Sequence, residues 1–113
     1  MPFPDRISPH FTFRELTITE HREFLDRNRR PPDRLLPAAQ ALCERILEPI
    51  RVYFRAPVVI HSAYRCPALN RAIGGSKRSQ HVKFEAADFH VVGITLGAVF
   101  NWIRFSSRLR YGQ

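Results

Sequence analysis

His81 and Asp88 stand seven residues apart in the segment Ser79-Gln80-His81-Val82-Lys83-Phe84-Glu85-Ala86-Ala87-Asp88. An imidazole and a carboxylate are the donor types that borderline cations such as zinc accept. A catalytic zinc takes about three protein ligands and keeps one position for water, whose pKa it lowers to about 7. The pair alone leaves a second reading open: a loop histidine, and a strand-end carboxylate paired with an arginine. Two further imidazoles lie close in sequence. His90 shares a strand face with Asp88 if both are extended, and His61 follows a short apolar run. Each is weighed both as a third ligand and as an ordinary strand histidine. Glu85 is near in sequence, but strand alternation gives no reason to aim it at the same point.

The elements that must hold these residues read as follows. Residues 1–10 carry three prolines and form an extended arm. Thr12 with Glu15 has the form of a capping box, so a short helix begins there. Thr19 opens a second helical stretch to about Asp26, and the prolines of 28–34 force a loop. A long helix spans 35–54. Its core stripe is Ala39, Leu42, Ile46, Ile50 and Tyr53, and Pro49 kinks or divides it. Val58-Val59-Ile60 is a buried strand. Pro67 opens a short helix over 68–73 that Gly74-Gly75 ends. Residues 77–80 form a polar loop, 86–92 a second strand, and Thr95 caps a last helix over 96–105. Arg108 to Gln113 starts a further strand. This order predicts an α+β fold, with N-terminal helices and a small, mostly antiparallel sheet, in one domain over 1–113.

Composition narrows the function classes. The 113 residues are 44% hydrophobic and carry a formal net charge of +8. That charge favours anionic partners, so nonspecific polyanion affinity is expected, with the basic residues dispersed over a solvated surface. No helix-turn-helix, zinc-finger or RNP pattern is present. Cys43 and Cys66 read as reduced structural thiols rather than a disulfide framework. No apolar run reaches the roughly 18 residues of a membrane span. The first residues lack a signal-peptide core, which predicts synthesis in a cytoplasm.

Ser62-Ala63-Tyr64-Arg65, Leu69-Asn70, Gly74-Gly75-Ser76, Ser79-Gln80-His81 and Ala86-Ala87-Asp88 occur in order. This series resembles the zinc D-alanyl-D-alanine carboxypeptidase family, and within it the phage endolysin-type branch. Ser8 to Thr17 and Leu47-Glu48-Pro49-Ile50-Arg51 resemble the same branch. The resemblance implies a hedgehog/D-Ala-D-Ala-peptidase-like fold and zinc-dependent hydrolysis of peptidoglycan stem peptides next to a D-amino acid. It implies His81 and Asp88 as zinc ligands and Arg65 as the group that binds substrate and stabilises a tetrahedral intermediate. Ser79 and Gln80 are implied in holding substrate, with Tyr64 and Asn70 shaping the site. It also implies a later histidine ligand preceded by a general-base glutamate. The residues after Asp88 hold only His90 and no glutamate, so the C-terminal part of the family domain is expected to be absent. The alternative expectation is an inactive peptidase-fold module that serves as a virion component, wall binder or protein-binding inhibitor. Phe84 stands where the family usually has glycine.

Overall fold

The computed structural model describes residues 3–76 and 79–110, with residues 105–110 described by backbone alone. Strands β1 (Arg6–Ser8) and β2 (Phe11–Thr12) form an antiparallel hairpin. The N-terminal segment is extended, as its prolines predict, yet it is docked rather than a free arm. Phe3 and Ile7 are buried, and the Phe3 ring packs against Phe13 at a centroid distance of 5.3 Å. Apolar side chains at alternate positions of an extended segment gain more from packing than from water.

Helix α1 (Phe13–Leu16) starts at the expected capping box. The Thr12 hydroxyl accepts from the Glu15 amide, and the Glu15 carboxylate accepts from the Thr12 amide at 2.9 Å. A 3-10 turn (Arg22–Phe24) leads into α2 (Leu25–Asn28). After the proline loop, a 3-10 turn (Asp33–Leu35) opens α3 (Leu36–Leu42). A π turn (Cys43–Leu47) joins α3 to α4 (Glu48–Phe54).

That π turn corrects the expected core stripe. Pro49 has no amide to donate, and its ring crowds the carbonyl one turn back. The backbone widens there by one residue, so the buried face steps from Leu42 to Leu47 and Ile50. Ala39, Leu42 and Ile50 are buried as expected, but Ile46 and Tyr53 are turned outward, and Cys43 and Leu47 take their place in the core.

The second sheet pairs β3 (Val58–Ser62) with β4 (Asp88–Val91), antiparallel. Helix α5 (Pro67–Ala72) lies between them in sequence and ends at Gly74, whose φ of 78° is the left-handed cap that glycine allows. Helix α6 (Leu96–Arg110) begins at Thr95, whose hydroxyl accepts from the Ala98 amide at 3.1 Å. The helix continues through Arg110, so the strand expected from Arg108 is not formed over its described residues. Residues 111–113 of that expectation lie outside the described ones. The α+β class and the antiparallel pairing hold, with two two-stranded sheets. No helix among the described residues is long and apolar enough to cross a membrane. Both cysteines are buried and unpaired, and burial pushes the Cys43 thiol up to about 11, which makes it unreactive near neutral pH.

The hairpin is tied to α4 by Glu48. Its carboxylate accepts from the Ser8 hydroxyl at 2.6 Å and the His10 amide at 2.7 Å, and its other oxygen meets His10 Nδ1 at 2.6 Å. Burial pushes this carboxyl up, but the Ser8 and His10 hydrogen bonds outweigh it and hold Glu48 below its ordinary value of 4.5. A carboxyl lowered on folding contributes stability above its unfolded pKa and loses it as pH falls through the folded one. Glu48→Gln is therefore expected to cost about 1–2 kcal/mol near pH 7. It should also flatten the loss of stability below roughly pH 4.5, the ordinary value of the group. Thermal melts of both chains from pH 7 to pH 3 check this.

Candidate functional site

Three segments build the site: the end of β3 with the turn Ser62–Cys66, the loop 79–87, and the start of β4. The loop is one short turn, with Val82, Lys83 and Phe84 amides donating to the carbonyls of Ser79, Gln80 and His81. The Glu85 amide then donates to the Gln80 carbonyl at 2.8 Å. These six-to-one and five-to-two bonds make a Schellman closure, whose central residue must be left-handed. That residue is Phe84, with φ of 62°. Glycine suits this position, and a bulky side chain there costs about 1–2 kcal/mol of backbone energy. The ring compensates by burial: Phe84 is fully buried, stacked on Tyr64 at 5.3 Å and on Phe3 at 6.1 Å.

An unusual rank order of variants follows. Phe84→Ala loses the ring and keeps the strained φ, at a cost of about 3–5 kcal/mol. Phe84→Gly loses the same ring but relieves the strain, so it should be the milder change by about 1 kcal/mol. Chemical denaturation of the two variants checks the order.

The turn holds His81 in a fixed orientation. Its carbonyl accepts from the Arg65 amide at 3.1 Å, and its amide donates to the Ser79 hydroxyl at 3.2 Å. Its Nδ1 lies 2.8 Å from the Ala63 carbonyl oxygen. A carbonyl only accepts, so Nδ1 carries a proton, and in the neutral ring Nε2 presents its lone pair. Nε2 faces Oδ2 of Asp88 at 3.5 Å. Two ligands at about 2.1 Å from a tetrahedral zinc lie roughly 3.4 Å apart. The donor types, the fixed tautomer and the separation therefore fit two corners of one zinc site. Among the described residues no group of three or more His, Cys, Asp or Glu side chains could hold a metal together.

Arg65 completes the arrangement. Its Nη2 donates to the same Asp88 oxygen at 3.3 Å, and its Nε donates to the Ser62 hydroxyl at 3.3 Å. The Asp88 side chain is 61% exposed and Arg65 only 18%. Solvent screening keeps that ion pair weak, so it orients the groups more than it stabilises the fold. His81, Asp88 and Arg65 thus converge. Ser79 supports the loop through its hydroxyl, while Gln80 contributes its backbone carbonyl and has an exposed side chain. His90 and His61 do not join the pair. They face each other across the sheet at 2.7 Å.

One residue that braces the site carries no sequence signal. Asn28, in the basic run Arg27-Asn28-Arg29-Arg30, is fully buried. Its amide nitrogen donates to the carbonyls of Thr17 at 2.8 Å and Tyr64 at 3.0 Å, and its oxygen accepts from the Cys66 amide at 2.8 Å. These bonds clamp the backbone on both sides of Arg65. Tyr64, buried beside it, has its hydroxyl pushed up to about 12 by burial, so it stays neutral.

Beside Asp88 runs a largely apolar groove of about 590 Å³, bounded by Ile46, Phe89, His90, Phe100 and Trp102. It lies between α6, the π turn and β4, and Asp88 is among the residues that line it.

Comparison with curated proteins and with solved structures returned no match. A family model described as Peptidase M15 matches residues 9–113, a span that takes in strand β2, the long helical segment and all three site segments. Peptidases of that family are typically zinc-dependent hydrolases. The match covers nearly the whole chain, and the chain belongs to the Peptidase M15 family.

Proposed function

We propose that this chain is a zinc-dependent hydrolase of peptidoglycan stem peptides, cutting beside a D-amino acid, in the manner of the phage endolysin-type branch. The observation that carries the reading is His81 Nε2 facing the Asp88 carboxylate at 3.5 Å while Nδ1 is engaged by the Ala63 carbonyl. With the His81 ring neutral, its Nε2 and the Asp88 carboxylate are two lone-pair donors that one cation between them satisfies. His81 and Asp88 are the residues that would hold zinc. Zinc supplies Lewis acidity there, and a bound water whose pKa falls to about 7. Arg65 anchors the substrate carboxylate or the developing oxyanion, since its fork of donors stays protonated at any working pH. Ser62 and Asp88 hold that fork in place. Ser79 keeps the His81 loop in register and lines the approach of the peptide.

The test is release of peptide from purified peptidoglycan, with and without chelator, alongside the zinc content of the purified chain. The reading expects bound zinc and release that a chelator stops and zinc restores. Absence of both bound zinc and release contradicts it.

A second reading is favoured by one observation: among the described residues the His81–Asp88 pair has no third His, Cys, Asp or Glu beside it. In that reading the domain is a non-catalytic module that binds wall or a virion protein through the Arg65 surface. It expects wall binding to survive His81→Ala and to fail in Arg65→Ala.

A further inference from the structure

We propose that His61 and His90 form a second, separate site for a borderline divalent cation, of the copper(II), nickel(II) and zinc(II) class. In the β3–β4 ladder Val59 pairs with His90 and Ile60 with Phe89, but Ser62, not His61, pairs with Asp88. His61 is thus the extra residue of a β-bulge, and a bulge re-aims the side chain it carries. The result is a cross-strand imidazole pair on the exposed face of the sheet. His61 Nε2 lies 2.7 Å from His90 Nδ1, with ring centroids 4.8 Å apart and planes 26° from parallel.

The two facing nitrogens share one proton, because two imidazole lone pairs at 2.7 Å repel unless one ring donates. A cation takes the place of that proton. The donating ring's proton leaves through solvent to its other nitrogen, so both rings stay neutral and both facing nitrogens become donors. The nitrogens need only part from 2.7 Å to roughly 3.0–3.4 Å, the spacing of two ligands about 2.1 Å from one metal. Both side chains are exposed, so the metal has an entry path and water fills its remaining positions. Imidazole suits copper, nickel and zinc, and copper binds most tightly of the three. The pair does not merge with His81 and Asp88, since among the described residues no three such groups meet. The chain therefore offers two distinct two-donor sites.

The test uses copper(II) alone, titrated by calorimetry into the tag-free full chain carrying His81→Ala, so that the first pair cannot contribute. One equivalent should bind. Adding His61→Ala or His90→Ala should each weaken binding at least tenfold, and adding His21→Ala should leave it unchanged. Copper electron paramagnetic resonance should show hyperfine splitting from two imidazole nitrogens, which each single variant reduces to one. Circular dichroism confirms that the variants fold. No saturable binding in the His81→Ala chain overturns the proposal, and so does binding that survives loss of either His61 or His90.

Discussion

In a chain carrying His61→Ala, which removes the second imidazole pair, replacing His81 with alanine is expected to weaken zinc binding by at least about 100-fold, beyond the roughly 10–100-fold that losing a supporting residue costs a metal site. Peptide release from peptidoglycan should fall to background in the same variant. The fold should hardly notice. The His81 side chain makes one hydrogen bond, to the Ala63 carbonyl, and its loss costs about 1 kcal/mol. Asp88→Asn should show the same split: the neutral amide is a poor zinc ligand, while the lost ion pair with Arg65 is worth under about 1 kcal/mol because Asp88 is exposed. Zinc titration beside thermal melting separates the two effects. If either variant unfolds the chain, or binds zinc as the parent does, the pair is not the metal site.

Asn28→Ala should do the opposite. It removes three buried hydrogen bonds and strands the Thr17 and Tyr64 carbonyls and the Cys66 amide. Buried groups left without partners cost about 1–3 kcal/mol each, so a total of about 3–5 kcal/mol is expected. Domains of this size are stable by only about 5–15 kcal/mol. The melting temperature should drop by more than about 10 °C. Any activity that remains should fall with the loss of fold and with looser placement of Arg65, which sits between the two clamped residues. A melt within about 3 °C of the parent would show that Asn28 is not the clamp its contacts describe.

Local chemistry made much of this fold legible. Thr12 and Glu15 form the capping box that their spacing implies, and Pro67, Gly74 and Thr95 start or stop helices where expected. The strands around Val58–Ile60 and Asp88–Val91 follow from β-branched and alternating residues. Non-local facts were not legible. The π turn before Pro49 displaced Ile46 and Tyr53 from the core, because one inserted residue rotates the helix beyond it. Helix propensity through Arg110 overrode the strand expected there. Asn28 looked like one polar residue in a basic run, since its partners lie 11, 36 and 38 positions away.

The candidate site divides in the same way. The convergence of His81, Asp88 and Arg65 was expected from the motif series, and the three do meet. The orientation of His81 was hidden, because it depends on the Ala63 carbonyl from another segment. The presence of Phe84 where glycine is usual was visible. Its consequence, a strained left-handed residue held by ring burial between Tyr64 and Phe3, needed the fold.

Anomalous diffraction at the zinc edge, from crystals of the chain grown with zinc, tests the central claim most directly. The account predicts a peak about 2.1 Å from both Nε2 of His81 and a carboxylate oxygen of Asp88, with the Arg65 guanidinium beside it. An empty position between those two side chains, with both oriented as described, would contradict it.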